Sequence, residues 1–388
     1  GLGRALAARG HGVTLALNER FAGDARAAGL GFQPLGSHDE WRAVFEDPRW
    51  YDPRQGYSLF TRGALMPAVE PLFAAIETVR PRETLVLVAA IQAFGAQLAH
   101  RRLGVPLATV YLQPSTLRWV LPDDELRATP EVSALAVRLR TAQRFLGHRF
   151  LGDESALMPD GDGIHVGLFP EWFAAPPAAW PATVSFSGFP LYDGDGGGGG
   201  GGSGELPEEA RRFFDAGDPP IVINPGSNVH WAGGYCRVAA AACRHLGRPA
   251  VFLTRYAEQL PPLDAPRARH YAFLPLGPAL ARAAAMMHHA GISTVGRCLA
   301  AGVPQLLSPI SYDHPFNAAT LEQLGTGIAV PGEWFTEDAV TAALDRLLSD
   351  PSYRRQSARY AAAMAAENRP EAACDAIEAL YRRHRGSP

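Results

Sequence analysis

Short runs of apolar residues recur along this chain, and a helical stretch follows nearly every one. Residues 12–17 (GVTLAL), 85–89 (LVLVA) and 107–111 (LATVY) form a first set, and 221–224 (IVIN), 250–254 (AVFLT), 285–288 (AMMH) and 305–308 (QLLS) a second. Runs this short, with no polar alternation, suit strands buried on both faces, as in parallel sheets. Residues 94–103, 235–246, 294–301 and 318–324 read as helices between them, and the tail 336–348 and 352–381 as longer helices. Strand–helix alternation defines an α/β fold. At 388 residues the chain is long for one such domain and suits two.

The chain opens on a helix, 2–9, which stops at Gly10 before the strand 12–17. A parallel domain normally starts with a strand whose loop feeds the first helix. One strand and its loop are therefore expected ahead of Gly1. Residues 112–160 form a long Pro-containing excursion that either shapes a ligand cleft or packs on the domain. A glycine run at 196–202 marks the middle of the chain. A phosphate-binding loop needs a strand before it and a helix start directly after it. Here a turn-like Pro190-Leu-Tyr-Asp193 precedes it and an acidic segment follows, so it reads as a linker. The expected division is 1–192, a linker 193–204, and 205–388.

Composition narrows the function. Hydrophobic residues make up 47% of the chain, enough to fill two cores, and a formal charge of -3 implies no nucleic-acid partner. Arg is spread along helices instead of clustering with aromatics. Cys236, Cys243, Cys298 and Cys374 form no CxxC pair, which points to a reduced, cytoplasmic protein. No uninterrupted apolar run reaches about 18 residues, so no membrane span is expected.

The segment with the most chemistry is His288-His289-Ala290-Gly291-Ile292-Ser293-Thr294. A strand ends at two histidines, a glycine turns the chain, and Ser293 and Thr294 stand at the start of a helix closed by Gly302 and Pro304. Read alone, it is a capped helix with two packed histidines, or an anion site in which the helix N–H groups and dipole face negative charge. Adjacent histidines project apart and no third ligand lies nearby, so zinc is not expected. The carboxyl edge of a parallel sheet is where such domains bind ligands, and a diphosphate fits that chemistry.

The wider stretch HHAGISTVGRCLAAGVPQLLSPISYDHPFNAATLEQLGTGIAV closely resembles the donor-binding signature of GT-B glycosyltransferases of the macrolide, sterol and rhamnolipid type, HHGGxGTxxxALxAGVPQLxxPxxxDQPxNAxxLxxLGxG. Weaker resemblance covers 1–35, Gly188-Phe-Pro-Leu191 and Pro225-Gly-Ser227, and 104–114 resembles the rhamnolipid rhamnosyltransferase branch. The resemblance implies two Rossmann-like parallel α/β domains facing across a cleft, the first lacking its opening strand. It implies an inverting, metal-independent transfer of a hexose or deoxyhexose such as rhamnose from a TDP- or UDP-sugar to a hydroxyl of a lipid or polyketide-like molecule. No cofactor beyond the nucleotide sugar is implied, and peripheral membrane association stays open.

Carried over by position, the diphosphate meets His289, Gly291, Ser293, Thr294, Gly226 and Ser227. The nucleobase rests on Phe273. The sugar meets Asp313, His314 and Asn317. Three departures stand out: Ala290 for a glycine, His314 for a glutamine, and Arg297 where plant relatives carry a ribose-binding glutamate. The general base of the family follows the first N-terminal strand, so no residue here maps to it, and His11 follows the first helix instead. The alternative reading is a non-catalytic GT-B protein that binds nucleotide sugar or serves as an auxiliary partner.

Overall fold

The computed structural model describes residues 1–52, 55–80, 84–120, 134–154, 157, 163–178, 180, 184–191, 204–226, 229, 232–264 and 266–385. They form two compact units, Gly1–Pro190 with Asn368–Pro388, and Leu191–Glu367.

Unit 1 runs α1 (Leu2–Ala8), β1 (Thr14–Leu17), α2 (Ala22–Ala27), β2 (Gly31–Pro34), α3 (His38–Phe45), α4 (Gly56–Phe60), α5 (Val69–Val79), β3 (Leu87–Ala90), α6 (Phe94–Leu103), β4 (Leu107–Tyr111), α7 (Ala134–Leu151), β5 (Ile164–Gly167) and β6 (Val184–Phe186). β1 and β2 form one parallel pair, and β3-β4-β5-β6 a separate parallel sheet in that order. All five residues of β4 are buried, as a strand covered on both faces requires. α6 closes at Gly104 (φ 67°), whose left-handed backbone suits glycine, and Val105-Pro106 then leads into β4. α3 opens with a capping box, in which the Ser37 hydroxyl accepts from Glu40 N–H and the Glu40 carboxylate accepts from Ser37 N–H.

Residues 39–79, rich in Trp, Phe and Tyr, read as helical in parts, but not as one long apolar helix. α4, a π-helical turn at Thr61–Leu65 and α5 run together as Gly56–Val79, which is long and apolar enough to cross a membrane by length and composition. Arg62, Glu70 and Glu77 interrupt its apolar run, which hides it from a count of consecutive residues. Tyr57, Val69 and Ile76 on it are buried.

Unit 2 runs α8 (Glu208–Asp215), β7 (Ile221–Asn224), α9 (Gly233–His245), β8 (Ala250–Leu253), β9 (Ala268–Tyr271), α10 (Leu276–Leu280), β10 (Ala285–His288), α11 (Ile292–Ala301), β11 (Gln305–Leu307), α12 (His314–Gln323), β12 (Gly327–Ala329), α13 (Glu337–Ser349) and α14 (Pro351–Glu367). Its six strands are all parallel, in the order β12-β11-β10-β7-β8-β9. The chain steps outward from β7 through β8 to β9, returns to the other side of β7 at β10, and steps outward again. The order therefore reverses between β7 and β10, the place where open α/β sheets bind ligands beyond the strand ends.

The last helix, α15 (Pro370–Arg385), belongs to unit 1. This corrects the expected division, which left all of 205–388 in the second domain. Cys374, Ile377 and Leu380 of α15 share a core cluster with Leu6 of α1 and Ala108 of β4. Arg9 pairs with Asp375 at 2.6 Å, and His11 with Glu378 at 3.1 Å. Apolar spacing made 352–381 look like one helical tail, and only its packing partners separate α14 from α15. Of the expected linker, 193–203 lies outside the described residues.

Where the chain returns, Arg369 N–H donates to Ser187 O at 3.0 Å. Gly188 has φ 78°, and a Cβ there would collide with the Asn368 side chain and approach its Cα to 2.9 Å. Gly188→Ala adds a left-handed penalty to an overpacked contact, so it is expected to destabilise unit 1 by about 2–4 kcal/mol. Denaturant unfolding of unit 1 reads this, and an unchanged midpoint would refute it.

Candidate donor site

The loops at the reversal point carry most of the residues singled out in the sequence. β10 ends at His288, which is fully buried. Its Nδ1 accepts from Ala290 N–H at 3.1 Å, which leaves Nε2–H to donate to Gln305 Oε1 at 3.0 Å. Burial pushes its pKa down to about 3. His288 is thus a structural pin between β10, β11 and the turn.

Ala290 follows with φ 67° and is fully buried. Its carbonyl accepts from Asn317 Nδ2 at 2.9 Å. A methyl group in this left-handed conformation costs about 1 kcal/mol. Ala290→Gly is therefore expected to raise Tm by a few degrees, and a fall in Tm would show that the methyl packs more than it strains.

Gly291 is the N-cap of α11, with extended backbone and no side-chain cap. Ser293 and Thr294 occupy the second and third helical positions, so neither caps the helix, contrary to one of the two readings of the sequence. Ser293 is exposed and Thr294 is 9% exposed. Their N–H groups have no partner inside the helix, as in every first turn.

His289 lies between the two glycine loops. A Cβ on Gly226 (φ 115°) would come within 3.0 Å of His289 Nδ1, and one on Gly291 within 2.6 Å of Nε2. Both glycines leave room for the imidazole. The edge of His314 meets the ring at 4.6 Å between centroids and 71°. Among the described residues His289 Nδ1 is buried without a hydrogen-bond partner, and burial lowers the pKa of the ring to about 4. The site thus holds a neutral imidazole beside a positive helix end. Gly226 N–H donates to Asn224 Oδ1 at 2.9 Å, which fixes its loop. Ser227 and the neighbouring His230 lie outside the described residues.

Asp313 is the N-cap of α12 and is 5% exposed. Its carboxylate accepts from Asn317 Nδ2 at 2.7 Å and from Ile292 N–H, tying the starts of α12 and α11 together. Desolvation raises its pKa to about 6, against the opposing effect of these hydrogen bonds. His314 Nδ1 accepts from Ser311 N–H at 3.4 Å, and burial with the nearby His289 and His288 holds the ring neutral.

Asn317 is fully buried, its Nδ2 donates to Asp313 and to the Ala290 carbonyl, and its Oδ1 has no partner among the described residues, so the side chain ties the two loops together beside the expected sugar position. His314 is 6% exposed and braces His289. Phe273, beyond β9 at the far end of the sheet, is 53% exposed and available as an aromatic platform.

The chain is similar to known sugar-transferring proteins. Residues 239–380 match the family described as "Erythromycin biosynthesis protein CIII-like, C-terminal domain". The O-mycaminosyltylonolide 6-deoxyallosyltransferase of Streptomyces fradiae is 29% identical over 97% of this chain and 92% of its own length. The TDP-daunosamine transferase of Streptomyces peucetius is 38% identical over 44% of this chain and 41% of its own. Among solved structures, the calicheamicin glycosyltransferase CalG4 superposes with a TM-score of 0.71 at 20% identity, covering 98% of this chain and 94% of that one. A spinosyn rhamnosyltransferase complexed with thymidine diphosphate gives 0.71 at 18% identity, covering 97% and 95%.

Fold and sequence kinship together define a glycosyltransferase of the GT-B fold. Within that class the chain is similar to antibiotic and macrolide glycosyltransferases, over nearly its whole length to the 6-deoxyallosyltransferase and over 239–380 to the erythromycin-type C-terminal domain.

Proposed function

We propose that this enzyme moves a deoxyhexose from a TDP- or UDP-sugar to a hydroxyl of a polyketide-like small molecule, with inversion at the sugar carbon. The observation that carries the reading is the reversal point itself: the first turn of α11 and a buried, unpartnered His289 nitrogen converge where a diphosphate needs donors. The acceptor oxygen bonds to sugar C1 as the C1–phosphate bond breaks, and the nucleoside diphosphate departs with the electron pair. Helix N–H groups and His289 take up its negative charge, and the reading calls on no metal or further cofactor. The hydroxyl proton goes to a base that we do not assign to His11, whose ring is engaged by Glu378 and by Tyr381 at 5.7 Å.

The relatives support the substrate class, since two of them are named for a deoxyallosyl and a daunosaminyl transfer. For the acceptor, unit 1 offers stacked aromatics after β2: Trp41 on Phe45 at 5.0 Å, Phe45 against Trp50 at 4.5 Å, and Phe60 beside both. The Arg20 guanidinium lies 3.9 Å over Trp41. A flat, greasy acceptor suits that surface. Four buried free cysteines suit a reducing cytoplasm.

Calorimetric titration with TDP and UDP, followed by transfer from a panel of TDP- and UDP-deoxyhexoses, tests the reading. Saturable binding that His289→Ala and Thr294→Val weaken is expected. A folded chain that binds neither nucleotide would refute the donor site, and one that binds without transfer to any hydroxyl acceptor would favour the non-catalytic alternative.

A further inference from the structure

Among the described residues only two that are not glycine adopt positive φ, Ala290 at 67° and Tyr312 at 59°. They occupy matching places. Each follows one of two neighbouring strands, β10 and β11, and stands two residues before the next helix. Ala290 is small, sealed in and held by Asn317. Tyr312 is the bulky case, for which the left-handed region is a steric outlier. Glycine would make the same turn without strain. Such strain persists where the surroundings impose it, and it gathers at ligand sites.

The surroundings of Tyr312 say which part of a ligand it meets. Ser311, Asp313 and His314 are 3%, 5% and 6% exposed, and Tyr312 is half-buried, so of these four residues only its side chain is substantially reachable. The strand order places the loop after β9, with Phe273, at one end and the loops after β7 and β10 in the middle. The loop after β11 lies on the side of β10 away from Phe273. A ligand with its base on Phe273 and its diphosphate at His289 presents its sugar there. The Asp313 carboxylate already accepts from Asn317 and Ile292, and the two atoms nearby without a partner among the described residues, Ser311 Oγ and Asn317 Oδ1, are buried, which leaves the Tyr312 ring as the reachable surface of this loop.

We propose that Tyr312 is a specificity-determining residue whose ring packs against the apolar face of a deoxygenated sugar. The proposal rests on the reading of this loop set as a nucleotide-sugar site. The test compares Tyr312→Gly and Tyr312→Phe by thermal unfolding and by calorimetric binding of TDP, UDP, and TDP- and UDP-linked 6-deoxyhexose and glucose. Tyr312→Gly is expected to raise Tm, keep nucleoside diphosphate affinity within about twofold, and lower the preference for deoxyhexose over glucose at least fivefold. Tyr312→Phe is expected to retain that preference.

A Tyr312→Gly variant with higher Tm and unchanged sugar preference overturns the proposal, leaving Tyr312 a turn residue. Equal loss in Tyr312→Phe also overturns it, because the hydroxyl and not the ring would then read the sugar. Failure of the unaltered chain to bind either nucleotide is a separate result, which removes the donor site on which the proposal rests.

Discussion

His289→Ala is expected to slow sugar transfer about 10²- to 10³-fold, the effect of removing one pre-placed donor from a developing anion. The imidazole is framed by two glycines whose Cβ atoms would press on its two nitrogens, and it is braced by the edge of His314. A ring held this firmly with one nitrogen unpartnered and buried is better explained by a ligand than by packing. Truncation leaves a cavity but also removes a desolvated polar atom, so the two effects on stability oppose each other. Tm is expected to move by only a few degrees while steady-state transfer collapses. Transfer within threefold of the unaltered chain would remove His289 from the machinery.

The second large effect is acid lability. Burial holds His288 at about 3 and His289 at about 4, and His165, bonded to the Tyr111 hydroxyl at 2.9 Å in unit 1, at about 4. All three imidazoles regain a pKa near 6.5 when the chain unfolds. Between about pH 6.5 and 4 the unfolded chain therefore binds more protons, and stability falls as pH falls. At pH 5 each imidazole contributes a loss of about 2 kcal/mol.

Asp313 acts in the opposite sense. Its folded pKa of about 6 exceeds the unfolded value of 3.8, so between those values the folded chain holds the extra proton and gains stability as pH falls. That offsets about 1 kcal/mol at pH 5. These four groups together give about 4–5 kcal/mol less stability at pH 5 than at pH 7, with uptake of about two protons on unfolding, and His314, also held neutral by burial, adds to both in the same direction. Calorimetry in buffers of different ionisation enthalpy measures the uptake. Proton release on unfolding at pH 5 would show that these imidazoles are not held neutral.

Strands read correctly from the sequence were those in apolar runs, β1, β3, β4, β7, β8, β10 and β11. β2 (GFQP) and β9 (ARHY) escaped because edge or half-exposed strands tolerate Gly, Pro and charge, which leaves no apolar run to see. The diphosphate loop was legible because a turn, a helix start and a strand end must follow one another in sequence. The packing of His314 on His289 and the bonds of Asn317 across the two loops were not. Position in a motif says which loop a residue belongs to, whereas burial and hydrogen-bond partners decide whether its side chain faces ligand or scaffold. Tyr312 carried no sequence signal, since a tyrosine in a left-handed turn looks like any other tyrosine until its φ is known.

The return of α15 to unit 1 has a consequence for how the protein is made. A ribosome releases the N-terminal half of unit 1 long before its closing helix exists. Roughly 180 residues separate Pro190 from Pro370, a delay of about 10–40 s at ordinary elongation rates. During that interval the surface around Leu6 and Ala108 waits without Cys374, Ile377 and Leu380. The nascent chain must keep that surface from sticking elsewhere, so stop codons or fusions that shorten the C-terminus should harm the half of the protein synthesised first.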